Sequence, residues 1–210
     1  MRHRPPRPSA QQLKLVQQHM RQTLLDAALA SVAKSDDGTP MTVARAAEPR
    51  GPSRLAQAHL EGPARAEAEA LYAGCLRHYR TAIRPHDEAD DAGAAVAHFV
   101  AANLFAIGAE PATPTMLERL QRQLLPVARA ASNWMSTSTV ERQMFFEQVA
   151  LLSVLIGGMA QHANAHGAAA QAKVRDAARQ YLQKFLGLNP DTLALNAQGL
   201  TLREPARRAA

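Results

Sequence analysis

The sequence predicts an all-α protein: an orthogonal bundle of about five helices with a short hairpin-like C-terminal tail and a mobile N-terminal arm. Three observations carry that expectation. Alanine and leucine supply the apolar mass while aromatic residues make up only 4% of the chain, a balance that favours helix over sheet. Apolar residues recur at three- and four-residue steps between recognisable start and stop signals. The 13 prolines among 210 residues are clustered, so they punctuate helices instead of dissolving them.

Residues 1–9 are Arg/Pro-rich and expected to be disordered. Ser9 caps an amphipathic helix expected over 10–34, with Leu13, Val16, Met20 and Leu24 on one stripe. "SDDGTPMTVARAAEPRGP", Ser35 to Pro52, reads as a linker, and a short helix carrying Leu55 and Leu60 follows from Ser53. The main helical domain opens at Pro63, a good first-turn residue. Ala68, Leu71, Tyr72, Cys75, Tyr79 and Ile83 make its first apolar face.

"RPHDEADD" ends that helix, and Asp90 or Asp91 is the expected cap of the next. Val96, Phe99, Val100, Asn103, Leu104 and Ile107 form the second face, stopped by Gly108. "TMLE", Thr115 to Glu118, has capping-box spacing and leads into Leu117, Leu120, Leu124 and Ala128; Pro126 is expected to kink or end this helix. "STVE", Ser138 to Glu141, is a second capping box. The helix it opens contains Val149 to Ala160, apolar on every side. That run falls short of the roughly 20 residues a membrane span needs, so it reads as a central core helix in which Gly157 and Gly158 admit a neighbouring backbone.

The last long helix carries Val174, Ala178, Tyr181 and Phe185 and stops at Gly187. "LALNAQGLTL" then sets leucines at 193, 195, 200 and 202 around a turn-like "NAQG", which reads as a β-hairpin or as a leucine-anchored tail. The expected organisation is an arm at 1–62, a helical domain at 63–202 that folds autonomously, and a disordered basic tail at 203–210.

The net charge of +6 is unevenly placed. Residues 1–65 contribute +5, residues 66–202 contribute −1 and the last eight contribute +2. The helical domain is thus close to neutral, and any nucleic-acid binding falls to the ends, through Arg2, Arg4, Arg7 and Lys14, as weak and salt-sensitive contacts. Cys75 is the only cysteine, which excludes an intrachain disulfide and a thiolate metal cluster within one chain. No apolar stretch follows the basic start, so no secretory signal is read there and the cytoplasm is the expected compartment.

Candidate sites are sparse. His162 and His166 stand at i and i+4 and are the candidate metal ligands, but Ala163 occupies the place where the zinc-protease pattern requires Glu. Two imidazoles supply half a tetrahedral shell, so the expectation is a histidine pair at a helix end without a functional metal. Asn103 falls on an apolar face and is expected to be a structural polar residue anchored to a neighbouring backbone. "HDEADD", His86 to Asp91, lacks the order of a calcium loop and reads as a solvated capping segment. No GxSxG, GxxxxGK[ST] or GxGxxG occurs, Trp134 reads as a core plug or lid contact, and no catalytic residue or cofactor is assigned.

Four stretches, "ARAEAEALYAGCLRHYR", "AVAHFVAANLFAIG", "LLSVLIGGMAQHANAHG" and "YLQKFLGLNPDTLALNAQGLTL", resemble in that order an uncharacterised family of all-helical proteobacterial proteins. The resemblance spans roughly residues 63–202. Members of that family often look exported, which implies an envelope location as the alternative to the cytoplasm; the Arg/Pro-rich start departs from that pattern. The resemblance implies no activity, cofactor or catalytic residues. The expected function is therefore a non-catalytic interaction or accessory protein that meets another protein through the 10–34 helix. The alternatives are weak nucleic-acid binding through the basic ends and an enzyme whose site assembles only in space.

Overall fold

A computed structural model describes residues 40–58 and 60–202; the helix expected at 10–34 and the tail at 203–210 lie outside the described residues. Six helices pack together: α1 (Gly51–Gln57), α2 (Gly62–His78), α3 (Ala92–Ala106), α4 (Pro114–Ala131), α5 (Thr139–His166) and α6 (Ala168–Leu186). Strands β1 (Thr42–Val43) and β2 (Asp90–Asp91) form one short antiparallel pair, and β3 (Leu193–Asn196) and β4 (Gly199–Leu202) form another.

Helix α5 is the axis of the bundle. It packs most extensively on α3 and also touches α1, α2 and α6, while α4 covers α3. Its 28 residues make it long and apolar enough to cross a membrane, yet 72% of its most apolar window is buried inside the protein. Packing on several sides accounts for a helix apolar all round. The expected capping box is present: Ser138 accepts from the Glu141 N–H, and the Glu141 carboxylate accepts from the Ser138 N–H at 3.0 Å. The Ser138 hydroxyl also donates to that carboxylate at 2.7 Å, and this bond and the Ser138 N–H hold the exposed Glu141 carboxyl below its ordinary range.

Other local signals are placed differently from the sequence reading. The first turn of α4 is capped two residues earlier than "TMLE" predicts, by Thr113 Oγ1 accepting from the Met116 N–H at 3.3 Å. Helix α4 also runs through Pro126 to Ala131. Gly157 and Gly158 admit no neighbouring backbone, because nothing lies within 4 Å of where a Cβ on either would sit. Asn103 anchors to its own helix, donating to Phe99 O at 2.8 Å, since a four-residue step brings that carbonyl within reach before any neighbouring chain.

The tail is a hairpin with Leu193 opposite Leu202 and Asn196 opposite Gly199. Gly199 has φ 95 while neither Ala197 nor Gln198 is left-handed, the pattern of a type I turn closed by a glycine bulge. Gln123 of α4 clamps this turn, accepting from the Leu200 N–H at 2.7 Å.

Residues 41–60 were expected to be linker and short helix outside the domain, and they share its core. Met41 and Leu55 are each 1% exposed, and Val43, Ala56 and Leu60 are buried with them. Burying side chains of this size contributes about 1.5–3 kcal/mol each, enough to order a segment rich in Pro, Gly and Ala. A chain of residues 63–202 should accordingly unfold several kcal/mol more readily than one of residues 40–202. Urea denaturation of the two chains, followed by circular dichroism, checks this; equal midpoints would mean that residues 41–60 merely lie on a finished domain.

Candidate functional site

The sequence places a glutamate just before the apolar run of α5, and the fold takes it out of water completely. Glu147 is 0% exposed and Asp90, from the supposedly solvated "HDEADD" segment, is 2% exposed. Buried carboxylates need donors from other elements, and the network around these two joins four of them. Glu147 Oε2 accepts the Arg50 N–H at 2.9 Å and the Gly51 N–H at 2.6 Å, capping the start of α1. Its Oε1 accepts from Gln143 Nε2 at 3.1 Å and lies 3.8 Å from Arg80 Nη2.

Arg80 sits in the π-helical turn Tyr79–Ile83 that ends α2. It grips Asp90 with both branches of its guanidinium, at 3.1 Å from Nε and 2.6 Å from Nη2, and lies over the Phe146 ring at 5.7 Å. Gln143 Nε2 also donates to Asp90 at 2.7 Å, and Arg45 reaches Asp90 from the segment after β1. Bidentate, charge-assisted contacts of this kind are the strong ones. The neighbouring Asp91 does the capping expected of it, accepting from the Ala94 N–H at 3.0 Å.

Above this network lies a groove of about 940 Å³ between residues 44–57 and the first turns of α5. Gln143 and Glu147 form part of its floor, Val140 and Met144 part of its wall, and Arg50 and Arg54 stand on the opposite side. All four carboxylate oxygens of Asp90 and Glu147 already meet donors, so neither is placed as a free general base toward the groove. Gln143 Oε1, by contrast, is buried without a hydrogen-bond partner among the described residues.

The sequence candidates lie elsewhere. His162 and His166 stack on each other at 3.7 Å between ring centroids at the end of α5, and His166 Nδ1 is bonded to His162 O at 2.7 Å. That bond leaves Nε2 of His166 as its one ring nitrogen able to ligate, and no third His, Cys, Asp or Glu joins the pair among the described residues. Asn103 is fully buried in α3, away from the groove, with Oδ1 unpaired. Trp134 plugs the core beside Phe145, with the Arg142 guanidinium 5.2 Å from its ring centroid. Cys75 is buried, and desolvation pushes its thiol up to about 12.

His98 lines a second hollow between α3 and α5. Its ring meets Tyr79 edge to face at 5.5 Å. Desolvation, helped by the nearby Arg84 charge and opposed by Asp87 and Asp91, pulls it down to about 4. Between about pH 4 and 6.5 the unfolded chain binds the proton that folded His98 refuses. Stability from this group is therefore complete above 6.5 and falls as the pH drops through that window. Urea midpoints from pH 7 to 4.5 should fall more steeply for the natural protein than for His98→Phe; parallel curves would mean that His98 titrates normally.

Three substitutions test the rest of the geometry. Glu147→Ala leaves a buried guanidinium and two N–H groups short of their partner and should cost about 3–5 kcal/mol. In Gly51→Ala the new Cβ would come 2.6 Å from Glu147 Cβ, a clash worth about 1–3 kcal/mol; urea denaturation measures both. Replacing His162 and His166 together by glutamine should change stability by about 1 kcal/mol or less, and elemental analysis of untagged protein should find no stoichiometric metal.

The chain belongs to a family of unknown function, DUF6683, which matches residues 7–203. No curated protein matches it, and no solved structure does.

Proposed function

We propose that this protein is a non-catalytic helical interaction protein, and that a protein partner occupies the groove between residues 44–57 and the start of α5. The observation that carries the reading is the contrast between the groove's floor and its walls. The floor carboxylates are fully engaged by Arg45, Arg80, Gln143 and the start of α1, whereas the α5 wall holds Val140 and Met144 outside the core, across from Arg50 and Arg54. Val140 is 49% exposed. An exposed apolar side chain beside a groove supports an interaction surface. Gln143 Oε1 adds an unmet acceptor that an N–H of the partner would satisfy.

The helix expected at 10–34 is the second contact assigned to the partner. Leu13, Val16, Met20 and Leu24 follow the spacing that helix-in-groove docking uses. The family match begins at residue 7 and so takes in this segment.

A photo-crosslinking amino acid placed at Met144 or Val140 of the full chain, in its native cells, tests the reading. One protein adduct should form from both positions, fail to form from exposed Glu67 on α2, and weaken at least tenfold when 10–34 is deleted. Adducts equal to those from Glu67, or none, would count against a groove partner.

A further inference from the structure

Gly157 and Gly158 sit in the interior of α5, where glycine destabilises a helix relative to alanine. Neither has the left-handed φ that would demand glycine. Neither is crowded, since no neighbour among the described residues lies within 4 Å of a Cβ built on either one. Helix geometry and packing therefore leave both glycines unexplained. What they share is a hollow: both line a cleft of about 280 Å³ between α3 and α5, and the missing side chains are part of what keeps it open.

Four polar side chains share the lining of that cleft with the bare strip of backbone. Ser153 and Gln161 lie four residues before Gly157 and three after Gly158 on α5, and His98 faces them from α3 with His78 at the end of α2. Ser153 Oγ donates to Ala150 O at 2.7 Å, which leaves its lone pairs free to accept. The ring nitrogens of His98 have no hydrogen bond among the described residues; the ring is held by its edge-to-face contact with Tyr79. Among the described residues no Asp, Glu, Lys or Arg lines the cleft, and the rest of its wall is apolar, including Ile83, Phe105, Leu117 and Val154. A charged ligand would lose its hydration there without compensation, whereas an uncharged one would lose little. Apolar cavities of about 150 Å³ hold benzene, so a hydroxylated ring fits this one.

We propose that the cleft between α3 and α5 binds an uncharged, largely apolar small molecule, of the size of a monocyclic phenol, lying on the Gly157–Gly158 strip and hydrogen-bonded through its hydroxyl to His98. The site is separate from the groove over Glu147 and does not depend on a protein partner. Its wall chemistry sets the selectivity: the ring is held by apolar contact, and the hydroxyl donates a hydrogen bond to a neutral imidazole nitrogen.

Titration calorimetry with p-cresol and with toluene, on the full chain, tests the proposal, with the ring proton resonances of His98 as a second readout. The natural protein should bind p-cresol and shift the His98 resonances. Gly158→Leu should weaken p-cresol at least tenfold without lowering the melting temperature, because its side chain enters open space. A double Gly157→Ala, Gly158→Ala variant, which strengthens the helix, should show the same loss in smaller measure. His98→Phe should weaken p-cresol by about tenfold, the worth of one hydrogen bond, and leave toluene unchanged. Binding of neither probe at millimolar concentration, or full p-cresol affinity in the glycine variants, would overturn the site.

Discussion

The fold depends on keeping the Glu147 carboxylate out of water. A buried carboxylate loses several kcal/mol of hydration unless charged and N–H donors replace it, and here three elements supply the donors while a fourth balances their charge. The start of α1 supplies two backbone N–H groups, α5 supplies Gln143, the π-turn after α2 supplies Arg80, and Asp90 of β2 balances that guanidinium. Each donor fixes the position of the element that carries it. Gly51 must be glycine because the backbone of α1 has to approach Glu147 closely enough to donate. With α1 held there, residues 41–60 bring Met41, Leu55 and Leu60 into the core, and the outer side of the same segment becomes one wall of the groove.

The two hollows differ in chemistry because they sit at different places along α5. Near its start the helix carries Gln143 and Glu147, and the groove above them has a polar floor locked by ion pairs and a rim that sets Val140 and Met144 across from Arg50 and Arg54. Two turns further on the helix is apolar, and the cleft there contains no formal charge, only neutral donors and acceptors around a strip of bare backbone. The first suits a large surface with matching side chains, and the second a small uncharged molecule.

The helices of the bundle were legible in the sequence because their signals are local. Ser138 and Glu141 cap α5, Asp91 caps α3 and Gly187 closes α6 as their spacing predicts. The hairpin was legible from the leucine alternation and the glycine of its turn. The segment 41–60 was not, because Met41, Val43, Leu55 and Leu60 follow neither a helical nor a strand period across their prolines and glycines. Nor was the carboxylate network. "HDEADD" has the composition of a solvated loop, and nothing local announces that Asp90 will meet Arg80 while Asp91 merely caps a helix. Likewise Gly157-Gly158 suggested close backbone contact, when what surrounds them is space. Contacts across the chain decided each of these cases.

Native-state hydrogen exchange of the full chain tests the central claim most directly, read at the Gly51 amide. If Glu147 ties residues 41–60 into the core, that N–H exchanges only when the whole domain unfolds. Its protection should then equal that of the most protected amides in α5 and fall with them as urea is added. Exchange at the rate of an open loop, with α5 still protected, would contradict the account, because α1 would then come away from a bundle that stands without it.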